Sequence, residues 1–268
     1  MDVPVTVIPQ EQQLEIYSGK ILLKVLGKRI IRKMKWFFGA DYTDISTTSY
    51  NGLVVFSTPY LDGGGTTFGQ GYLRSLLELG LKRCDNVYEF CAGPGYIGYS
   101  LFANGFCKNL TLSDINPRSV EMARMTARYN HIEDHVNVYL SDSLDDIPES
   151  EKWDLAVGNP PFFLPPSRGH LPKKPDETMK LPRKTVVTES INLRTYDPDW
   201  SIHKKFYAKI KRHMKPGGLV VMQECQRGSD ADVFKPMIAD GGGRFIRSFA
   251  AEDLYGKKNA IYYVVSQW

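Results

Sequence analysis

Two hydrophobic rhythms alternate along this chain from about residue 86 onward. Short apolar runs rich in β-branched and aromatic residues, such as "NVYEFC", "NLTLSD", "VNVYLSD" and "WDLAVGN", read as buried strands. Between them, "GYIGYSLFANG" and "PRSVEMARMTARYN" repeat their apolar positions at helical spacing. After a long polar stretch the pattern resumes with the helical "WSIHKKFYAKIKRHMKPGG" and the strand "LVVMQEC". It closes with helical "DADVFKPMIADGG" and the strands "FIRSFA" and "AIYYVVSQW". Strands alternating with helices predict an α/β fold with a mostly parallel sheet covered on both faces. Pro117 suits a first helical position, and Lys215-Pro216-Gly217-Gly218 reads as a helix stop.

Residues 1–80 differ in kind. "KILLKVLGKRIIRKMK", residues 20–35, carries seven positive charges and no acid, with Leu23, Leu26 and Ile30 on the opposite face. It predicts a basic amphipathic helix whose apolar face packs on the protein, with an RNA or anionic-membrane contact as the alternative. "TSYNGLVVFST" reads as a hairpin, and "YLDGGGTTFGQGYL" as a glycine-rich flap. The expected organisation is a small N-terminal cap over 1–80 and a ligand-binding domain over 81–268.

Composition excludes more than it selects. With 42% hydrophobic and 24% charged residues the chain is ordinarily globular, and a net charge of +4 names no partner. Cys84, Cys91, Cys107 and Cys225 form no CxxC pair, so reduced thiols in a cytoplasmic setting are expected, without a zinc site. His131 and His135 flank a turn, while His203 and His213 lie in a charged helix and read as solvated. No apolar run reaches membrane-spanning length.

The chemistry concentrates at strand ends. Gly93-Pro94-Gly95-Tyr96-Ile97-Gly98 is a GxGxxG loop between a strand and a helix, which brings the backbone close to a ligand. Asp114, with Ile115 beside it, ends the next strand, where an acid accepts from ribose hydroxyls. Such a pair suits a nicotinamide cofactor as well as S-adenosylmethionine. Glu89 before the loop, Asp142 with Ser143 after the third strand and Asn159 after the fourth favour the second. A buried Glu89 answers a cationic ligand's ammonium through water, and Asp142 an adenine amino group. In an open sheet these ends meet in one cleft.

The order "EFCAGPG", "SDIN", "SDS", "NPPF" resembles the class I S-adenosylmethionine-dependent methyltransferases that methylate amino groups. That group includes adenine N6-methyltransferases and the HemK-like glutamine methyltransferases. The resemblance runs from about Tyr50 to the C-terminus and takes in "LVVMQECQRG" with Glu224. It implies a Rossmann-like sheet of seven strands, the last antiparallel, with Glu89, Cys91, Gly93, Gly95, Asp114, Ile115, Asp142, Ser143, Asn159 and Thr66 around the methyl donor. It also gives Asn159-Pro160-Pro161-Phe162 a role. The Asn159 side-chain oxygen and the Pro160 carbonyl accept from the NH2 of a planar substrate, and Phe162 stacks on it. Two oriented acceptors pull the nitrogen out of resonance, and the prolines hold their direction. Pro161 and Phe163 line the acceptor side.

Two departures from the family pattern stand out. "STPYLDGGGTTFGQGY" occupies the place of the Pro-Arg-x-Glu-Thr-like segment of release-factor glutamine methyltransferases. Cys91 replaces the loop's first glycine, which calls for a negative φ. The loop 164–199, rich in proline and basic residues, offers Arg183, Lys184 and Arg194 for acceptor binding. The expectation is an N-methyltransferase for a protein glutamine amide. Adenine in nucleic acid or a small-molecule amine is the alternative acceptor. A binding protein without catalysis leaves the intact tetrapeptide without a purpose, and so does a dehydrogenase.

Overall fold

The computed structural model of the protein describes residues 45–58, 61, 66–161, 197–226, 228–251 and 261–268. The basic segment 20–35, Gly63-Gly64-Gly65, Phe162, Phe163, Arg183, Lys184 and Arg194 lie outside the described residues.

Strands β1 (Ser46–Tyr50) and β2 (Leu53–Ser57) form the expected hairpin. Asn51 and Gly52 take φ of 44° and 87°, the left-handed pair that a tight two-residue hairpin turn demands. After it come α1 (Thr66–Glu78), β3 (Cys84–Phe90), α2 (Tyr96–Ala103), β4 (Cys107–Asp114) and α3 (Pro117–Tyr129). Next are β5 (Val136–Leu140), β6 (Trp153–Gly158), α4 (Ser201–Ile210) and β7 (Met214–Cys225). The chain finishes with α5 (Phe234–Asp240), β8 (Arg244–Ala250) and β9 (Ile261–Gln267). Strands β3 to β9 make one seven-stranded sheet in the order β5-β4-β3-β6-β7-β9-β8, with β9 antiparallel to both of its neighbours. The Rossmann-like arrangement expected from the sequence is therefore present.

Strand alternation divides the core between two faces. Val87, Leu110, Val157 and Val221 face α1, α2 and α3, whereas Tyr88, Phe90, Ala156 and Met222 face α4 and α5. Tyr50, Leu53, Val55, Tyr72 and Leu76 belong to the first of these clusters, so the described part of the N-terminal region shares the sheet's core. Side chains in α3 and at its C-cap pin the hairpin. Asn130 accepts from Val54 N at 3.0 Å and donates to Val54 O at 2.7 Å, while Thr126 Oγ1 accepts from Phe56 N at 2.9 Å. Asn116 caps the same helix through Arg118 N, ahead of Pro117 at the favoured position.

Three sequence expectations are corrected. The "TTFGQGYL" part of the presumed flap is the start of α1. Helix α4 ends at Ile210, and Lys215-Pro216-Gly217-Gly218 lies inside β7 as a bulge. Trp153 pairs with Met214 but Leu155 with Leu219, and Gly217 has φ of 81°. A proline without an N–H and a left-handed glycine interrupt the ladder there. His213 is buried, not solvated, and stacks on Trp153, which stacks in turn on Tyr88. Burial lowers its pKa, its Nδ1 donates to Glu151 O at 3.1 Å, and its Nε2 accepts from Arg212, so it is a neutral core ring.

Candidate active site

Parallel pairing brings the C-terminal ends of β3, β4, β5, β6 and β7 to one rim of the sheet. The glycine loop leaves β3 there, with Gly93 at φ 55° and Gly95 at φ 86°, conformations that glycine adopts without strain. A Cβ on Gly95 would come within 2.7 Å of the Tyr99 ring, so this turn accepts glycine on two grounds.

Asp114, at the end of β4, ties the loop down. Oδ2 accepts from Gly93 N at 2.7 Å and Oδ1 from Asn116 N at 2.8 Å. Burial raises its pKa, while hydrogen bonds from Asn116, Gly93 and Ser119 pull it back. Three donors leave one of the carboxylate's roughly four acceptor sites spare, so the ribose-acceptor role remains chemically open. Ile115 beside it is 55% exposed and offers an apolar platform at the rim.

Glu89 is buried, as expected of it, and its partners are backbone amides. It is 2% exposed, beneath the loop, and accepts from Gly98 N at 2.7 Å and from Ile97 N. Burial lifts its pKa to about 8 despite those two bonds. Its side chain fixes the first turn of α2. Gly98 is required by the same contact, because a Cβ there would sit 2.7 Å from Glu89 Oε2.

Cys91 violates the condition set from sequence. Its φ is 51°, in the left-handed region, where a non-glycine residue pays about 1–2 kcal/mol. Strain of this kind is held only where the surroundings over-determine the backbone. Asp142 is exposed and ion-paired with Lys205 of α4 at 2.6 Å, a surface pair weak enough for a ligand to displace. Ser143 has φ of 61° and a buried hydroxyl without a partner among the described residues. Thr66 begins α1, and its side chain lies outside the described residues.

The acceptor side starts where β6 ends. Gly158 is the last residue registered against both β3 and β7, and Asn159, Pro160 and Pro161 follow it at the rim, with both prolines buried. A Cβ on Gly158 would lie 2.8 Å from Phe90 O and 3.0 Å from Met222 Sδ, so the backbone before Asn159 is tightly confined.

Beside this corner lies a cluster that the sequence reading missed, since it took His203 for a solvated residue. His203 is 1% exposed and bridges two fully buried carboxylates. Its Nδ1 lies 2.7 Å from Asp197 Oδ2 and its Nε2 2.9 Å from Glu224 Oε1. Asp197 also accepts from Ile202 N at 2.8 Å and His203 N at 3.1 Å, which starts α4. Burial depresses the His203 pKa, but the Glu224 charge and the hydrogen bonds of both acids outweigh it and hold the ring at about 9. The protonated ring thus clasps the end of the 164–199 loop to the rim of β7. An acid at the end of the "YDPDWS" loop and one in "MQEC" were the available signal, but nothing local in the sequence couples them.

Among the described residues no group of three or more His, Cys, Asp or Glu side chains is arranged to hold a metal. Nor is any described helix long and apolar enough to cross a membrane.

Residues 48–167, just under half of the chain, match the Methyltransferase small domain family. That segment is similar to the methyltransferase small domain. A release factor glutamine methyltransferase of Clostridium acetobutylicum is 26% identical over 145 residues, covering 53% of this chain and 47% of that protein. A ribosomal RNA small subunit methyltransferase C of Haemophilus influenzae is 31% identical over 115 residues, covering 41% and 32%. The chain thus spans less than half the length of these relatives. Among solved structures, a T. thermophilus 16S rRNA methyltransferase in complex with AdoMet and guanosine superposes with a TM-score of 0.52 at 13% identity. It covers 83% of this chain and 50% of that one, and establishes likeness of fold. The matched segment contains the glycine loop, Asp114 and the corner at Asn159.

Proposed function

We propose that the protein is an S-adenosylmethionine-dependent N-methyltransferase acting on a planar amide or amine nitrogen, with a glutamine-type amide in a protein as the first choice of acceptor. The observation that carries this reading is the position of Asn159-Pro160-Pro161 on the same sheet rim as the Gly93–Gly95 loop and Asp114. Residues suited to the donor are present: a left-handed glycine loop, a strand-end carboxylate with spare acceptor capacity, and an exposed Ile115. Gly93, Gly95, Asp114 and Ile115 would hold it, and Asp142 would meet its adenine once Lys205 yields. Bound there, the donor supplies an activated methyl group on a sulfonium.

The chain's own part is orientation. Asn159 Oδ1 and Pro160 O accept the two N–H bonds of the substrate, which favours a pyramidal nitrogen with its lone pair aimed across the rim. Proline rigidity keeps the second acceptor in place. Once methylated, the nitrogen is acidic enough to release a proton to water, so no strong base is required. Phe162 and Phe163 supply a planar stacking surface in this reading, and Arg183 and Arg194 contact the acceptor.

The rRNA methyltransferases among the relatives favour a second acceptor class, a nucleic-acid base, at identities of 31% and 34% that fall between the 26% and 38% of two glutamine enzymes. Transfer of a labelled methyl group into fractionated protein, RNA and small-molecule extracts distinguishes the two. Label in a protein band that resists RNase supports the first choice, and label lost to RNase selects the second. Calorimetric binding of NAD with no response to S-adenosylmethionine would reject both.

A further inference from the structure

Helix α1 touches both halves of the rim within one turn. At Gly69 it lies so close to the donor loop that an added Cβ would sit 2.4 Å from Tyr96 O. Tyr72, three residues on and on the same face, is fully buried and reaches the joint between β6 and β7. Its hydroxyl accepts from Gly158 N at 3.2 Å and stands 2.5 Å from Val221 O and 3.0 Å from Gly158 O. With a single proton to give, it donates to the nearer Val221 carbonyl. Tyr263 of β9 meets the Tyr72 ring edge-on at 5.0 Å, which fixes its direction.

The β6 ladder loses its means of continuing at this joint, because Pro160 and Pro161 have no N–H. The Tyr72 hydroxyl therefore ties the two strands together at the last residue before Asn159. We propose that α1 is a strut that sets the distance between donor loop and acceptor corner, with Tyr72 as the positioning residue for Asn159 and Pro160. This inference rests on the functional reading above. Methyl transfer needs the nitrogen in line with the sulfur–carbon bond, and a displacement of about 1 Å costs on the order of 100-fold in rate.

Tyr72→Phe is the test, because it removes one oxygen and keeps the ring. Under saturating donor, single-turnover transfer into the acceptor fraction falls at least about 10-fold, while the dissociation constants for S-adenosylmethionine and its demethylated product stay within about 2-fold. The Gly158 amide, followed by NMR, exchanges with solvent at least about 10-fold faster than in the wild type, and the Gly93 amide is unchanged. A Tyr72→Phe enzyme with the wild-type transfer rate overturns the proposal. If the wild type itself labels nothing, the functional reading fails, and the Gly158 amide decides the strut alone. Faster exchange there upholds it, and unchanged exchange overturns it.

Discussion

The two halves of the rim are built on different principles. On the β3–β4 side, each acid closes a short circuit: Glu89 meets an amide nine residues on, and Asp114 meets amides two and 21 residues away. On the β6–β7 side the bonds that matter join distant segments. Tyr72 reaches Gly158 across 86 residues and Val221 across 149. The first half is a local motif, and the second is assembled only when the sheet is.

The largest effect expected from breaking this contrast is at Asn159. Asn159→Ala should lower labelled-methyl transfer by about 10²–10³-fold or more, the loss typical of an oriented polar group in a transition state, with donor affinity within a few-fold by calorimetry. An active variant would remove the acceptor role assigned to that side chain. Asp114→Ala should act in the opposite order. Its charge-assisted hydrogen bonds are each worth about 1.5–3 kcal/mol, so donor affinity should drop roughly 10–100-fold. Unaltered affinity would show that the loop holds its ligand without the carboxylate.

The His203 clasp comes next. His203→Ala strands two buried carboxylates and should cost about 3–5 kcal/mol in denaturant unfolding. Its pH dependence follows from a folded pKa of about 9 against an ordinary 6.5. The folded state binds the proton more tightly, so the stabilisation is fully present below about pH 6.5 and is lost as pH rises through about 9. Glu89, lifted to about 8, works in the same direction between about pH 4.5 and 8. Thermal midpoints measured from pH 6 to 9.5 should therefore decline in the wild type and decline less in His203→Gln. Equal slopes would mean that His203 is neutral in the fold. The smallest effect is at Cys91→Gly. Relief of the left-handed strain, about 1–2 kcal/mol, is partly offset by the roughly 0.5–1 kcal/mol entropy cost of glycine, leaving a gain of up to about 1.5 kcal/mol in denaturant unfolding.

The same contrast explains what could be read in advance. Strand and helix periodicity, the Asn51-Gly52 turn and the cap at Asn116-Pro117 are encoded within a few residues, and the sheet follows from them. The glycine loop and Asp114 were legible for the same reason. The signal failed where tertiary contacts override local character. A lysine-rich helix hides His203 on its buried face, a proline–glycine pair that usually stops helices makes a bulge in β7, and glycine-rich "TTFGQGYL" becomes helical because α2 requires close approach at Gly69. Cys91 shows the complementary error, since its side chain was judged from a backbone angle that sequence does not specify.

The position of β9 also fixes when the sheet can close. Among the described residues β8 is hydrogen-bonded to β9 alone, and β9 runs to Gln267. A nascent chain can assemble the five parallel strands while still attached to the ribosome, yet β8 has no docking surface until residues 261–267 have left the exit tunnel. Completion of this fold thus waits on β9, and the interval before it exposes the open flank of β7 to chaperones or to mispairing.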